Sequence, residues 1–547
     1  MKSNPNRLWL VALALGWLFD FLFFEHTPGV NFAIFVVLCL AGGLYLLLGV
    51  EKVKPAREAL WLLIPLLFFA ATTFIRAEPM TTFLAFLFTF FLLGIFAATY
   101  LGGRWVWYGL WDYLATFFKL GGGALAKPVV FSGEIRKERA ERGETAKRSA
   151  WPVIRGIAIA LPIVAIFASL LASADAVFDS RLQDFLDILN IDNLGEYILR
   201  FSYILIGAYL LAGVFLHAAR DSKDEKLLND GKPMLGQFLG FIEATIVLGS
   251  VALLFALFVV IQFQYFFGGQ ANIHIDGFTY SEYARRGFGE LIAVAFFSLL
   301  LILGLGAISK RDTEPQRKTF SGLSIGIVAL VLVMLVSAYR RLVLYETIYG
   351  FSELRAYTHV FMIWLGLLLV ATVVLEILRR ERMFALAALI ASIGFAATLP
   401  ILNVDAFIVR QNVQRAIDGN FGFDNGSSSR ASSDPIDADQ LDINYFTELS
   451  ADAVPALVAS FRADSTPASV RDALGAALAC IRYQSEKRSD TNWRSYHVSR
   501  WNRMKLLEEI RPELKGYFIQ KDKDSGQTVI ITPLEKEYDC GYMFYWD

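Results

Sequence analysis

The chain has 547 residues, 55% of them hydrophobic and only 19% charged, with 46 Phe and a mean hydropathy of +0.47, so most of it must face lipid rather than water. A formal net charge of -1 excludes a general attraction to nucleic acid, and three cysteines without CxxC or Cys/His ligand spacing give no signature of a metal or cofactor.

A helix needs about 20 apolar residues to cross about 30 Å of hydrocarbon. Eleven stretches meet that rule, at 8–24, 30–50, 59–75, 80–101, 151–172, 196–218, 236–267, 288–308, 320–347, 357–378 and 383–402. The first continues into further spans without a small-residue cleavage site, so it reads as a membrane helix and not a removable signal. Between the fourth and fifth spans, RWVWYGLWDYLATFFKL has aromatic residues flanked by Arg104 and Lys119 and carries Asp112 mid-segment. That composition predicts a helix lying in the membrane interface, the alternative being a short twelfth span. The mixed-charge stretch GEIRKERAERGETAKR that follows reads as a solvated helix. The acidic segment SADAVFDSRLQDFLDILNIDNLGE, with Phe178, Leu182, Phe185, Leu186 and Leu189 at helical spacing, reads as an amphipathic helix on the other side.

Past Pro400 a helix is expected over Asn403–Ile417, then a Gly/Ser/Asp linker at 419–435. The remaining residues have the composition of a water-soluble unit, with helices expected at Tyr445–Phe461, Ser469–Tyr483 and Trp501–Glu509 and a strand at Thr528–Thr532. Cys480 and Cys540 form a disulfide in an oxidising compartment or remain two thiols; Cys39 lies in an apolar run. The expected class is an all-α polytopic membrane protein with about 11 transmembrane helices and a small, mainly helical C-terminal domain containing some β structure. Its expected divisions are 1–150 (four helices and a loop), 151–402 (the core membrane domain) and 403–547 (the C-terminal domain).

Lys and Arg crowd one set of connections, whereas the other set has only Arg76, Arg181, Arg285, Arg286 and Arg355. The positive-inside rule then puts the N-terminus in the cytoplasm and the C-terminal domain outside it. On the outer side, counting along each helix brings Gln262, Gln264, Tyr265, Glu290, Arg340 and His359 to one level, with Arg341 and Tyr345 sharing one helix face and Arg355 and His359 another. Tyr283, Arg286, Glu353 and Arg355 fall nearby, and Glu282, Arg286 and Glu290 form one stripe. Arg341 and Glu346 are five apart and point to different sides of a helix, so their partners should come from neighbouring helices. Such residues either snorkel and pair between helices or form a pocket for an anionic group. Glu243 stands apart as the one carboxylate expected well inside the hydrocarbon. No HExxH, GxSxG or phosphate-loop motif is present, so no catalytic residues are assigned.

The succession FIEATIVLGS, FVVIQFQYFFGG, GFTYSEYARRGFGEL and YRRLVLYETIYGFSELRAYTHVFMIW resembles an uncharacterised bacterial membrane-protein family, the domain of unknown function numbered four-one-seven-three. The resemblance covers roughly 150–410 and continues more loosely into NVDAFIVRQNVQRA and YFTELSADAVPAL. It implies a multi-pass inner-membrane protein and carries Glu243, Gln262, Gly268, Gly269, Tyr280, Tyr283, Arg286, Gly287, Glu290, Arg341, Tyr345, Glu353 and Arg355 as motif positions. The expected function is a non-enzymatic sensor or scaffold whose outer cluster docks the C-terminal domain or an anionic ligand. A transporter or flippase of an anionic lipid or small solute, and a transferase acting on a lipid-linked substrate, are the alternatives. The expected partners are the lipid bilayer, an anionic lipid or solute, and a cytoplasmic protein at the basic loops.

Overall fold

The computed structural model describes residues 5–141, 151–175, 177–182, 194–223, 236–267, 288–418, 441–485, 492–521 and 528–540. The membrane part is helical throughout: α1 Pro5–Phe23, α2 Val30–Val50, α3 Arg57–Ile75, α4 Pro79–Ala98, α5 Leu110–Glu141, α6 Trp151–Ala174, α7 Leu194–Arg220, α8 Phe241–Phe267, α9 Phe288–Ile308, α10 Glu314–Tyr349, α11 Glu353–Ile377 and α12 Phe384–Leu402. Among the described residues, 11 helices are long and apolar enough to cross a membrane. Outward side chains such as Trp61, Ile242 and Leu253 stay exposed, as lipid-facing residues do. The chain is thus an all-α, multi-pass membrane protein.

Ten of those helices coincide with expected spans, and the eleventh is Leu110–Glu138 within α5. Its contacts argue that it lies along one face instead of crossing. At its start, Tyr113 Oη donates to the Trp105 carbonyl (3.0 Å), and Trp105 Nε1 donates to the Glu58 carbonyl (2.9 Å) at the start of α3. Toward its other end, Glu134 pairs with Arg220 (3.0 Å) and Lys127 with Asp221, where α7 finishes. Leu101 N–H donates to Ser222 Oγ (3.1 Å), so the ends of α4 and α7 share a level. Both ends of α5 therefore return to one face, and its middle enters by only a turn or two, where Ala124 packs on Gly213 and Phe117 on Gly94. Gly213 admits this approach because a Cβ there would sit 2.1 Å from the Ala124 carbonyl oxygen. The 24-residue α6 covers the remaining stretch expected to span, 151–172.

Two helical bundles result. Helices α1–α5 and α7 share one core around Leu8, Phe69, Leu92 and Phe131, and α8–α11 share another around Ile327, Val331 and Leu369. Helix α12 joins them, placing Ala385, Leu389 and Ala396 in the first core and Phe384 in the second. Asn403 ends α12 in the left-handed region (φ 55), and its side chain accepts from Ala406 N–H (3.4 Å) to start α13, Val404–Asp418.

Beyond it come α14 Ile443–Glu448, α15 Val454–Arg462, α16 Ala468–Ser485, α17 Val498–Glu509 and an antiparallel sheet of β1 Phe518–Lys521, β2 Thr528–Ile531 and β3 Glu537–Asp539, in the order β1-β2-β3. The single helix expected over Tyr445–Phe461 is divided, because the Ser450 hydroxyl caps Asp452 N–H and Pro455 opens α15. Cys480 and Cys540 are bonded, with Cα atoms 5.5 Å apart. Closing a 60-residue separation is worth about 4 kcal/mol in the chain-entropy account. The core of this region includes Phe446, Leu457 and Leu474 and extends without a break into Ala356 and Val360 of α11 and Leu399 of α12. The linker at 419–435 and much of the acidic stretch after α6 lie outside the described residues.

Candidate functional site

The seam where the C-terminal region meets the membrane helices collects most of the buried polar side chains on that face. Its first half is built on the α3–α4 connection. Glu78 precedes Pro79 and caps α4, its carboxylate accepting from Met80 N–H and Thr81 N–H (both 2.7 Å). Asp452, 3% exposed, then accepts from Ala77 N–H (2.6 Å) and Glu78 N–H (3.1 Å) and lies 3.6 Å from Arg76. The Ser499 hydroxyl sits between Asp452 and the Ile75 carbonyl, while Arg76 Nε donates to the Pro400 carbonyl (2.9 Å). His497 Nε2 faces the Arg76 carbonyl at 3.2 Å, which requires the tautomer protonated there. Burial, reinforced by Arg500, lowers its pKa to about 4. Nearby, Val30 N–H donates to the Tyr496 carbonyl (2.9 Å), and Gly29 leaves no room for a Cβ.

The second half is built on the α10–α11 turn. Gly350 (φ 75) closes α10, and a Cβ there would lie 2.7 Å from Asn412 Oδ1. Asn412 on α13 grips the next residue twice, accepting from Phe351 N–H (2.7 Å) and donating to its carbonyl (2.9 Å). Glu353 N–H donates to Tyr445 Oη (2.9 Å). Between the halves, Tyr357 Oη donates to Glu78, and the Glu353 and Asp405 carboxyls act on one another as neighbouring like charges. Asp405, 0% exposed, also accepts from Ser450 N–H (2.9 Å). Burial first, with Glu353 and Glu78 adding to it, pushes its carboxyl well above the usual range. Among the described residues no group of three His, Cys, Asp or Glu is placed to hold a metal ion.

The residues singled out in the sequence fall in several places. Glu353 and Arg355 are in the seam, Arg355 donating to the Gly350 carbonyl and covering the Tyr345 ring at 4.4 Å. Tyr345 packs on Tyr349 at 4.6 Å. His359 meets Glu346 across α10 and α11 at 2.7 Å and Tyr339 at 4.7 Å, so Glu346 finds its partner on a neighbouring helix. Gln262 accepts from Ser337 Oγ (2.9 Å), tying α8 to α10. Arg341 is half-buried on α10, and Glu290 is exposed in the first turn of α9. Tyr283 and Arg286, with Gly268, Gly269, Tyr280 and Gly287, lie outside the described residues.

Glu243 requires a correction. Helix α8 begins at Phe241 and not near 236, so Glu243 occupies its first turn and its carboxylate accepts from Gly240 N–H (2.9 Å). It caps the first turn of α8 beside the Leu239–Lys310 backbone link, two residues inside the apolar stretch Phe241–Gln262.

Sequence reasoning missed Glu78, Tyr357, Asp405, Asn412, Tyr445, Asp452 and His497. A signal existed for two of them. Asp405 and Asn412 are seven apart, in the same stripe as the buried Ile408, Val409 and Ala416, so they are polar residues on an apolar helix face.

No match was found among curated proteins or among solved structures. A family model, the domain of unknown function DUF4153, matches residues 63–460, its number being 4153 where the motif reading gave 4173. That range takes in the membrane helices from α3 onward, α13 and the first turns of the C-terminal region, including Glu78, Glu353, Asp405 and Asp452. The chain therefore belongs to the DUF4153 family, a group of multi-pass membrane proteins to judge from this member.

Proposed function

We propose that this chain is a non-enzymatic sensor or scaffold of a bacterial inner membrane, in which an extracytoplasmic C-terminal region clasps two helical bundles. One observation carries the reading: Asp452 holds the α3–α4 connection and Asn412 with Tyr445 holds the α10–α11 turn, so one polar seam touches both bundles. The orientation draws support from the Lys- and Arg-poor connections on the seam side and from the Cys480–Cys540 bond, which persists in oxidising compartments. The transporter reading rested mainly on Glu243, whose carboxylate is engaged in capping the first turn of α8. The transferase reading has no observation in its favour.

Limited proteolysis of the purified full chain tests the clasp. Asn412→Ala removes both Phe351 contacts, and Arg355→Ala removes the Gly350 contact. Either variant is expected to speed cleavage of the C-terminal region severalfold, in line with about 1–3 kcal/mol for each buried polar group left unpaired. Digestion at the wild-type rate in both would reject docking as the basis of function.

A further inference from the structure

The face opposite the seam holds a cavity of about 620 Å³, inside the range of roughly 300–1,000 Å³ usual for small-molecule sites. It lies between α5, the end of α4 at Ala98 and the end of α7 at His217 and Asp221. Because α5 runs along this face, the cavity opens at headgroup depth. Its ionic lining is balanced: Lys127 pairs with Asp221, and Lys119 and Asp112 add one further charge of each sign. Gly122 and Gly123 bring bare backbone to the wall, and Gly123 has no room for a Cβ, which would lie 2.7 Å from His217 Nδ1.

His217 supplies an independent pointer to a ligand. It is 8% exposed and lines the cavity, yet its Nδ1 has no hydrogen-bond partner; the nearest carboxylate, Asp221, is 3.8 Å away. A buried imidazole nitrogen left unpaired beside a roomy polar space is costly unless something in that space completes it. Next to the opening, Leu114, Phe118, Leu125 and Val129 form an exposed apolar ridge at helical spacing along α5. A ligand that joins a charged head to apolar tails matches this arrangement.

We infer that the cavity receives the headgroup of a zwitterionic aminophospholipid. The phosphate lies toward Lys119, Lys127 and His217 and the ammonium toward Asp112 and Asp221, the two ligand charges taking the place of the Lys127–Asp221 pair, and the acyl chains follow the α5 ridge. Equal numbers of lysines and aspartates select a head that carries both charges over one that carries phosphate alone.

Native mass spectrometry of the full chain in detergent, supplied separately with phosphatidylethanolamine and phosphatidylglycerol, reads the outcome. Phosphatidylethanolamine should be retained preferentially, and retention should fall about tenfold in Lys119→Gln/Lys127→Gln and in Asp221→Asn, as expected for loss of a charge-assisted contact. Equal retention of the two lipids, or retention unchanged in the variants, overturns the inference. Displacement of the lipid by millimolar inorganic phosphate also overturns it, marking a site for a free anion. If the double variant does not fold, Lys119→Gln alone changes only an exposed side chain and carries the same expectation.

Discussion

The two halves of the seam bury carboxyl groups by different means. At the α3–α4 connection, Asp452 is surrounded by donors: two backbone N–H groups, the Ser499 hydroxyl and the Arg76 guanidinium. Beside the α10–α11 turn, Asp405 of α13 is buried near Glu353 and Glu78, and its carboxyl is held well above the usual range where Asp452 faces a cation. The first half is a lock assembled from complementary charge, whereas the second gathers buried like charges that favour the protonated carboxyl. Both are covered by the same C-terminal core, so difference in electrostatics and not in burial should separate their behaviour.

The largest effect should come from breaking the first half. Asp452→Ala leaves two N–H groups and Arg76 without their shared acceptor in a buried setting, a loss of about 3–5 kcal/mol. Thermal unfolding of the full chain in detergent measures it. A change below 1 kcal/mol would mean that water replaces the carboxylate and that the two halves are not as different as their partners suggest.

Asp405 and His497 sharpen the contrast through pH. The Asp405 pKa is raised on folding, so its contribution to stability is complete below its ordinary value of 3.8 and is lost as pH rises through the raised value. The His497 pKa is lowered from 6.5 to about 4, so its contribution is present above 6.5 and is lost as pH falls toward 4. Asp405→Asn, which keeps an acceptor for Ser450 N–H, should therefore flatten only the alkaline limb of a stability–pH profile, and His497→Gln only the acid limb. Each proton carries a slope of up to about 1.4 kcal/mol per pH unit. Protease sensitivity of the C-terminal region between pH 4 and 9 reads both, and one variant shifting both limbs would show that the halves titrate as a single unit.

How much of this was legible beforehand differs between the same two regions. Spans and their order follow from runs of apolar residues, which a linear reading detects directly, and helical rise gave the outer level of Gln262 and His359, which meet Ser337 and Tyr339 of α10. Glu353 and Arg355 were found because charge next to a long apolar run is conspicuous. Asp452 and His497 were not, because each is an ordinary polar residue in an ordinary soluble stretch. Only the fold carries them to Ala77 and Arg76, hundreds of positions away in sequence. Glu243 lies in the first turn of α8, about one turn nearer the helix start than the apolar run from 236 suggested.

The smallest expected effect belongs to that residue and sets a baseline for the others. Glu243 accepts one hydrogen bond from Gly240 N–H at the start of α8, on the face away from the seam. Glu243→Gln keeps an acceptor and removes one charge from a helix N-terminus, a change of about 0.3–1 kcal/mol. Thermal unfolding should barely move, and cleavage of the C-terminal region should stay at the wild-type rate, since nothing links Glu243 to either half of the seam. A Glu243→Gln variant with altered cleavage would show that the two faces of the membrane part communicate through α8 and α10, where Gln262 and Ser337 already join the helices one turn below the seam-side polar residues. In that event the distinction between the halves would no longer be local to the seam, and the clasp would have to be treated as one end of a coupled structure.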